Sequence, residues 1–407
     1  MVVPKLRFKE FKNEWKQINL SNTFTFYSTN SLSRADLVES GSIKNIHYGD
    51  IHQRFHNLLD IDVESLPYIK SNSKINIDNC KTYCQDGDLI FADASEDYDG
   101  IGKAVEIMNI GNNKVVSGLH TIWARDINNI MSNGFKGYLF NTPIIHNQIR
   151  ILANGFKVYG ISKNNICDLD VKVPSKSEQE KIAHFLSLLD KKIKLQQKKF
   201  EALKIYKIGL LYKTFSKHST NYKIKDLLTF GKSGGTPKST NISYYNGNIP
   251  FLSITDMTSQ GKYINYTEKH ISDIGLKNSS AWLLPVNTLI LSMYASYGLV
   301  SINKIELSTS QAMFNMIFKE NINIEYIYYY LNYLKETHFY DELVSTGTQS
   351  NLNADKVKNI SIYLPNQTEQ YRISNLFNLL DKKMELHQNI LNSLIILKKS
   401  LLQQMFI

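Results

Sequence analysis

The chain has 407 residues, room for about two to three domains at ~150 residues each, and its 43% hydrophobic and 21% charged composition excludes disorder. Three cysteines, Cys80, Cys84 and Cys167, exclude a disulfide framework and a four-cysteine zinc site, while the charged N-terminus and an apolar window at 283–302 broken by Pro285, Asn287, Ser292 and Ser296 argue against export or a membrane span, so a cytoplasmic protein is expected. The formal charge of +10 predicts a polyanionic partner, and most of the excess falls in one segment, residues 174–218, with 11 basic against 4 acidic residues.

Residues 1–173 read as a first globular domain of mixed α/β (α+β) class. Alternating apolar runs such as DGDLIFADAS at 86–95 predict strands. Two polar, turn-rich loops, FYSTNSLSR at 26–34 and HYGDIHQR at 47–54, offer Arg34, His47, Tyr48, His52 and Arg54 as candidate DNA contacts, because these side chains donate to phosphates and base edges. DASEDYDG at 93–100 has acids spaced as in a calcium loop, yet Tyr98 and Ala104 stand where that loop needs Gly and Glu.

Residues 174–218 form the next segment, and 174–215 predict one long helix. A Pro and a Ser precede Glu178–Gln179, a helix start, and a stripe runs Ile182, Leu186, Leu189, Ile193, Gln196, Phe200, Leu203, Lys207, Leu210 in alternating steps of four and three. Such a stripe buries itself against another helix. The lysines Lys191, Lys192, Lys194, Lys198, Lys199 and Lys204 would lie along DNA or against an acidic partner surface.

Residues 219–364 read as the second globular domain. VNTLILSMYAS at 286–296 predicts a strand and EYIYYYLNYLKET at 325–337 a helix. GKSGG at 231–235 is no phosphate loop, since Asp226 occupies the position of the required earlier Gly. Its loops supply the candidates Lys232, Ser233, Gly234, Gly235, Thr236 and Lys238, then Ser253 and Thr255, then Tyr294, Ser296 and Tyr297, and finally Thr348 and Gln349. The glycines would let the backbone approach a phosphate, and the hydroxyl, amide and amine groups would donate to DNA. Arginine is absent between 219 and 364, so this domain would read bases without the guanidinium fork.

Residues 365–407 repeat the first helix. Seventeen of 42 positions are identical without a gap at an offset of 191, including the block LLDKK at 188–192 and 379–383. The second stripe runs Ile373, Phe377, Leu380, Met384, His387, Leu391, Leu394, Lys398, Leu401, so the two copies are expected to zip as a coiled coil, with Gln196 and His387 fixing register. Weaker echoes, GLHTIWARDI near His120 against TSQAMFNMIF near Gln311, make the two domains homologous. At about 1.5 Å per residue, 40 residues span roughly 60 Å, enough to cover two DNA sites one turn, ~34 Å, apart.

Two unlike globular domains, each followed by a helix opening Pro-x-x-x-Glu-Gln and carrying LLDKK, together with SGGTPKS at 233–239 and GTQSNLN at 347–353, resemble the specificity subunit of type I restriction-modification systems. That resemblance implies two target-recognition domains, each reading half of a split, asymmetric site in double-stranded DNA, and two long antiparallel helices that separate them. It implies methyltransferase subunits, expected in two copies, docked on the helical regions, and motor-nuclease subunits in the assembly. It also implies no catalysis, cofactor or metal in this chain. The first domain lacks the Gly-Gly-Thr-Pro and Gly-Thr-Gln segments; ANGFKVYGISKNN at 153–165 stands in the latter's place. Two other readings remain at this level: a coiled-coil scaffold or DNA-binding protein without sequence readout, and an enzyme, against which the missing donor-binding and catalytic motifs weigh.

Overall fold

The computed structural model describes residues 3–71, 82–155, 157–294, 296–345 and 352–407. It divides into two compact units: one joins the chain from Met1 to Gln197 with Ile390–Ile407, and the other is Lys198–Asn389. The division cuts through both long helices, so each unit holds one globular domain and part of each helix.

The two domains repeat one sheet plan. In the first, a five-stranded sheet runs in the order Phe24–Tyr27, Thr121–Asp126, Leu89–Ala92, Ala104–Met108, Leu58–Asp60. In the second, the order is Leu228–Ser233, Met313–Phe318, Leu289–Ser292, Val300–Asn303, Tyr263–Ile264. The first three pairings are antiparallel and the last is parallel in both domains. Central strands such as LIFA at Leu89–Ala92 and LILS at Leu289–Ser292 are buried along their whole length, as a sheet covered on both faces requires.

A smaller sheet accompanies each large one. Its defining pair is parallel: Ile43–Ile46 with Lys114–Ser117 in the first domain, Tyr245–Leu252 with Ser308–Thr309 in the second. The ends of each globular part are tied by a further antiparallel pair, Lys16–Ile18 with Val171–Val173 and Tyr222–Lys223 with Ser361–Ile362. The predicted helix of the second domain is present as Ile324–Glu336.

The long helices span Lys176–Phe215 and Gln367–Gln404. All 18 stripe positions expected from the sequence are buried or half-buried. In the first unit Ile182, Leu186, Leu189 and Ile193 share a core with Leu391, Leu394 and Leu401; in the second, Leu211 and Phe215 share one with Ile373 and Phe377. The packing is antiparallel. Leu6 donates to the Gln404 carbonyl at 2.9 Å while the neighbouring Arg7 grips Glu178, and farther along Lys398 meets Asp190 at 2.6 Å. The polar interruptions Gln196 and His387 stand on the seam, the first buried and the second half-buried.

Repeat-related residues fasten each domain to the helices. Tyr138 donates to Asp190 at 2.8 Å, and Lys398 pairs with the same carboxylate and lies over the Tyr138 ring. In the second unit Tyr329 donates to Asp381 at 2.7 Å, and Lys207 pairs with that carboxylate and lies over the Tyr329 ring. Each clasp thus takes its lysine from one helix and its aspartate from the other. Lys207 and Lys398 hold stripe positions because each has an aspartate and a tyrosine ring to meet there. The glutamines of the Glu-Gln pairs do parallel work: Gln179 accepts from the Ser132 amide at 2.7 Å and Gln370 from the Asn323 amide at 2.9 Å, while each donates to its own preceding proline carbonyl.

Among the described residues, no helix is long and apolar enough to cross a membrane, and no group of three or more His, Cys, Asp or Glu is placed to hold a metal ion.

Candidate nucleic-acid interface

In each domain three loops meet at the same place, the carboxyl ends of the parallel strands of the small sheet. There the chain leaves that sheet and turns back into the second strand of the large one. In the first domain the turn is residues 117–121, and in the second it is residues 309–313. The carboxyl ends of parallel strands are where open α/β sheets present a crevice to ligands.

In the first domain the helix Tyr48–Gln53 begins beside this turn. Its N-cap is His47, whose Nδ1 accepts from the Gly49 amide at 3.1 Å. Burial and the nearby Arg34 charge lower the His47 pKa and favour the neutral ring that capping needs. Tyr48 lies against His47, His52 and His120, with ring centroids 4.7, 6.1 and 5.2 Å apart. His52 donates to the Ala94 carbonyl at 2.9 Å, and His120 Nδ1 faces Asp93 at 3.3 Å. Arg34 forms a two-pronged bond to Asp50 at 2.6 and 2.8 Å, Arg54 joins the same carboxylate at 3.3 Å, and both guanidinium groups stay exposed while Asp50 is buried. The five candidates of this domain are therefore brought together. A groove of about 740 Å³ adjoins them, lined among others by Asp93, His120, Tyr159, Ser162 and Asn165. Part of the 153–165 segment thus lines the groove.

In the second domain the segment after Leu228–Ser233 packs on the 309–313 turn. Gly235 donates to the Thr309 carbonyl at 2.9 Å and Thr236 bonds to Gln311. A Cβ on Gly234 would lie 2.2 Å from the Thr309 carbonyl oxygen, and one on Gly235 would lie 2.4 Å from the Ala281 nitrogen. Both glycines are buried, and their small size serves internal packing; their exposed neighbours Lys232, Thr236 and Lys238 offer the polar groups. Ser233 is half-buried, and its carbonyl accepts from the Trp282 indole at 3.2 Å. Ser253 caps the helix Ile254–Gln260 in a reciprocal pair with Asp256, leaving Thr255 exposed in the first turn. Met293 donates to the Ala312 carbonyl at 2.7 Å, which brings exposed Tyr294 to the same turn. Ser296 is exposed, and Tyr297 donates to Asp341 at 2.7 Å. Thr348 and Gln349 lie outside the described residues.

Residues 12–204 and 217–395 match the family of type I restriction modification DNA specificity domains. The chain belongs to that family. Among relatives of this specificity-family chain, the type I restriction enzyme MjaIX specificity subunit of Methanocaldococcus jannaschii is 29% identical over 165 residues, 40% of this chain and 38% of that protein. The HindI specificity subunit of Haemophilus influenzae is 29% identical over 149 residues, 36% of this chain and 32% of that one. The chain thus spans roughly a third to two fifths of the length of these curated relatives. The crystal structure of a type I restriction-modification S subunit from M. genitalium shares the fold, with a TM-score of 0.58 at 14% identity over 100% of this chain and 99% of that one.

The loop convergences also gather polar residues that loop composition did not single out: Asp50, Asp93, His120, Gln311 and, through Tyr297, Asp341. The echo of His120 against Gln311 was the available signal, but the convergence of loops on those positions depends on strand order. Of the helix lysines, Lys194 pairs with Glu64 at 2.8 Å and Lys204 with Glu201 at 2.9 Å, whereas Lys191, Lys192, Lys198 and Lys199 are exposed.

Proposed function

We propose that this chain is the DNA specificity subunit of a type I restriction-modification assembly, each domain reading one half of a bipartite, asymmetric site while the helices set the spacing. The observation that carries this reading is the repetition of one sheet plan and one loop convergence with unlike side chains at the two convergence points. Repeated architecture supports two reading modules; differing residues support two different half-sites. Arg34, Tyr48, His52 and Arg54 in the first domain and Lys232, Ser233, Thr236, Lys238, Thr255, Tyr294, Ser296 and Tyr297 in the second are the proposed contacts, with His47, Gly234, Gly235 and Ser253 shaping the loops. Thr348 and Gln349 remain part of the proposal on sequence grounds. The exposed lysines of the first helix would meet phosphates or an acidic partner.

A second feature supports docking of two like partners. Phe185, Leu188 and Leu195 are exposed on the first helix, and so are their 191-residue counterparts Leu376, Leu379 and Leu386 on the second. Exposed apolar stripes of this kind mark interaction surfaces. The methyltransferase subunits would supply the methyl-donor pocket and flip the target base, and motor-nuclease subunits would complete the complex in the cytoplasm. This chain itself would be non-catalytic and need no cofactor.

Mapping modified bases by single-molecule sequencing in cells with and without this chain tests the proposal. The expected result is one split motif that vanishes with the chain; an unchanged methylation pattern, or methylation by this chain alone, would refute it.

A further inference from the structure

Resting on that reading of function, we infer that His120 in the first domain and Gln311 in the second are corresponding specificity determinants, each reading a base edge of its own half-site. They stand at the 191-residue offset that relates the two long helices. Each occupies the turn that carries the chain from the small sheet into the second strand of the large one, beside the other loops of its domain.

Both turns are pinned from several sides, as a group that discriminates bases must be. In the first, Gly118 donates to the Ile46 carbonyl at 2.9 Å, Asp93 donates to the His120 carbonyl at 3.1 Å, and the Ser117 and Thr121 hydroxyls bond at 2.7 Å. In the second, Gly235 and Met293 hold the Thr309 and Ala312 carbonyls, and Asn315 donates to the Thr309 hydroxyl at 2.8 Å. The side chains nevertheless face out. His120 is half exposed and borders the 740 Å³ groove, and Gln311 is exposed.

The chemistry at the two positions differs in a way base edges distinguish. Asp93 engages Nδ1 of His120, which leaves Nε2 for a base. The Tyr48 ring supports the imidazole from the side. Thr236 engages the Gln311 carbonyl oxygen, which leaves the amide N–H groups and the second lone pair, a donor and acceptor side by side. That combination suits adenine N7 and N6 in the major groove, whereas one imidazole nitrogen makes a single bond. His120 takes a left-handed backbone conformation, φ 54°, which the tight turn requires.

The test uses the full assembly of this chain with its methyltransferase subunits, read by genome-wide sequencing of modified bases. His120→Ala is expected to relax one base position of one half-site by about tenfold to a hundredfold, leaving the other half-site intact, and Gln311→Ala to do the same in the opposite half. His120→Asn keeps a residue suited to the left-handed turn and is expected to alter preference at that same position. Unchanged motifs in all three variants would overturn the inference while leaving the specificity role standing. Loss of both half-sites together in the alanine variants and in His120→Asn would overturn it as well, since that reports damage to the fold. If the unaltered assembly modifies no bipartite sequence, the functional reading itself falls, and the inference with it.

Discussion

Asp50 is 1% exposed at its side chain yet carries two guanidinium groups on its outer edge. If Arg34 and Arg54 meet phosphates as proposed, such a carboxylate orders both beforehand and lowers the entropic cost of binding. Asp50→Asn should therefore cost about 2 kcal/mol of first-domain stability, the scale of a charge-assisted hydrogen bond; a denaturant midpoint unchanged from the parent would contradict this. His47 makes a pH prediction. Burial and Arg34 lower its folded pKa below the ordinary 6.5, so the unfolded chain binds the proton more readily. Stability is then full above pH 6.5, and acidification through that value erodes it until the folded ring also protonates. One proton gives a slope of at most ~1.4 kcal/mol per pH unit. Thermal melts between pH 7.5 and 5.5 should show a shallower decline for His47→Asn, which keeps a capping acceptor but does not titrate.

At the scale of elements, the 4-3 spacing of apolar residues made the long helices legible, because a buried stripe has one periodicity in any context. The predicted strands around 86–95 and 286–296 and the tyrosine-rich helix were legible for the same local reason. What the pattern did not reveal was why both copies keep Asp-Lys-Lys and Glu-Gln. The aspartates close clasps whose tyrosines come from a globular domain and whose lysines come from the opposite helix, and those partners are 52 residues or more away in sequence. Gln179→Leu should leave the Ser132 amide buried without an acceptor, at about 1–3 kcal/mol, and Gln370→Leu should do likewise at Asn323; chemical denaturation of each variant checks the loss. The outer stripe behaves differently. Leu188→Glu and Leu379→Glu alter exposed positions, so melting temperatures should hold while, on the proposed docking, co-purification of methyltransferase subunits fails. Full complex formation by the double variant would count against docking on that face.

For the whole molecule, homology of the two globular domains, unlike that of the helices, was visible only as faint echoes, because sheet order is set by pairings between distant segments. The strand orders and pairing senses turn those echoes into a repeat, and they also pick out His120 and Gln311 among many polar loop residues. The proposed spacing role carries its own prediction. Seven residues inserted after Gln197 and again after Asn389, where the compact units divide, keep the stripe in phase. Each helix would then lengthen by ~10 Å, or about three base pairs of duplex. The methylated motif should keep both half-sequences and gain about that many bases between them; an unaltered gap would show that the helices do not set it.

The last eighteen residues, Ile390–Ile407, belong to the same compact unit as the first domain, where Phe406 packs on Trp15 and Phe135. A ribosome therefore exposes the apolar underside of the first-made half for most of the time it takes to synthesise the rest. At ~5–20 residues per second that wait is tens of seconds, during which chaperone binding to nascent chains should concentrate on Leu186 and Ile193 and end only once residues 390–407 have been made and can pack there.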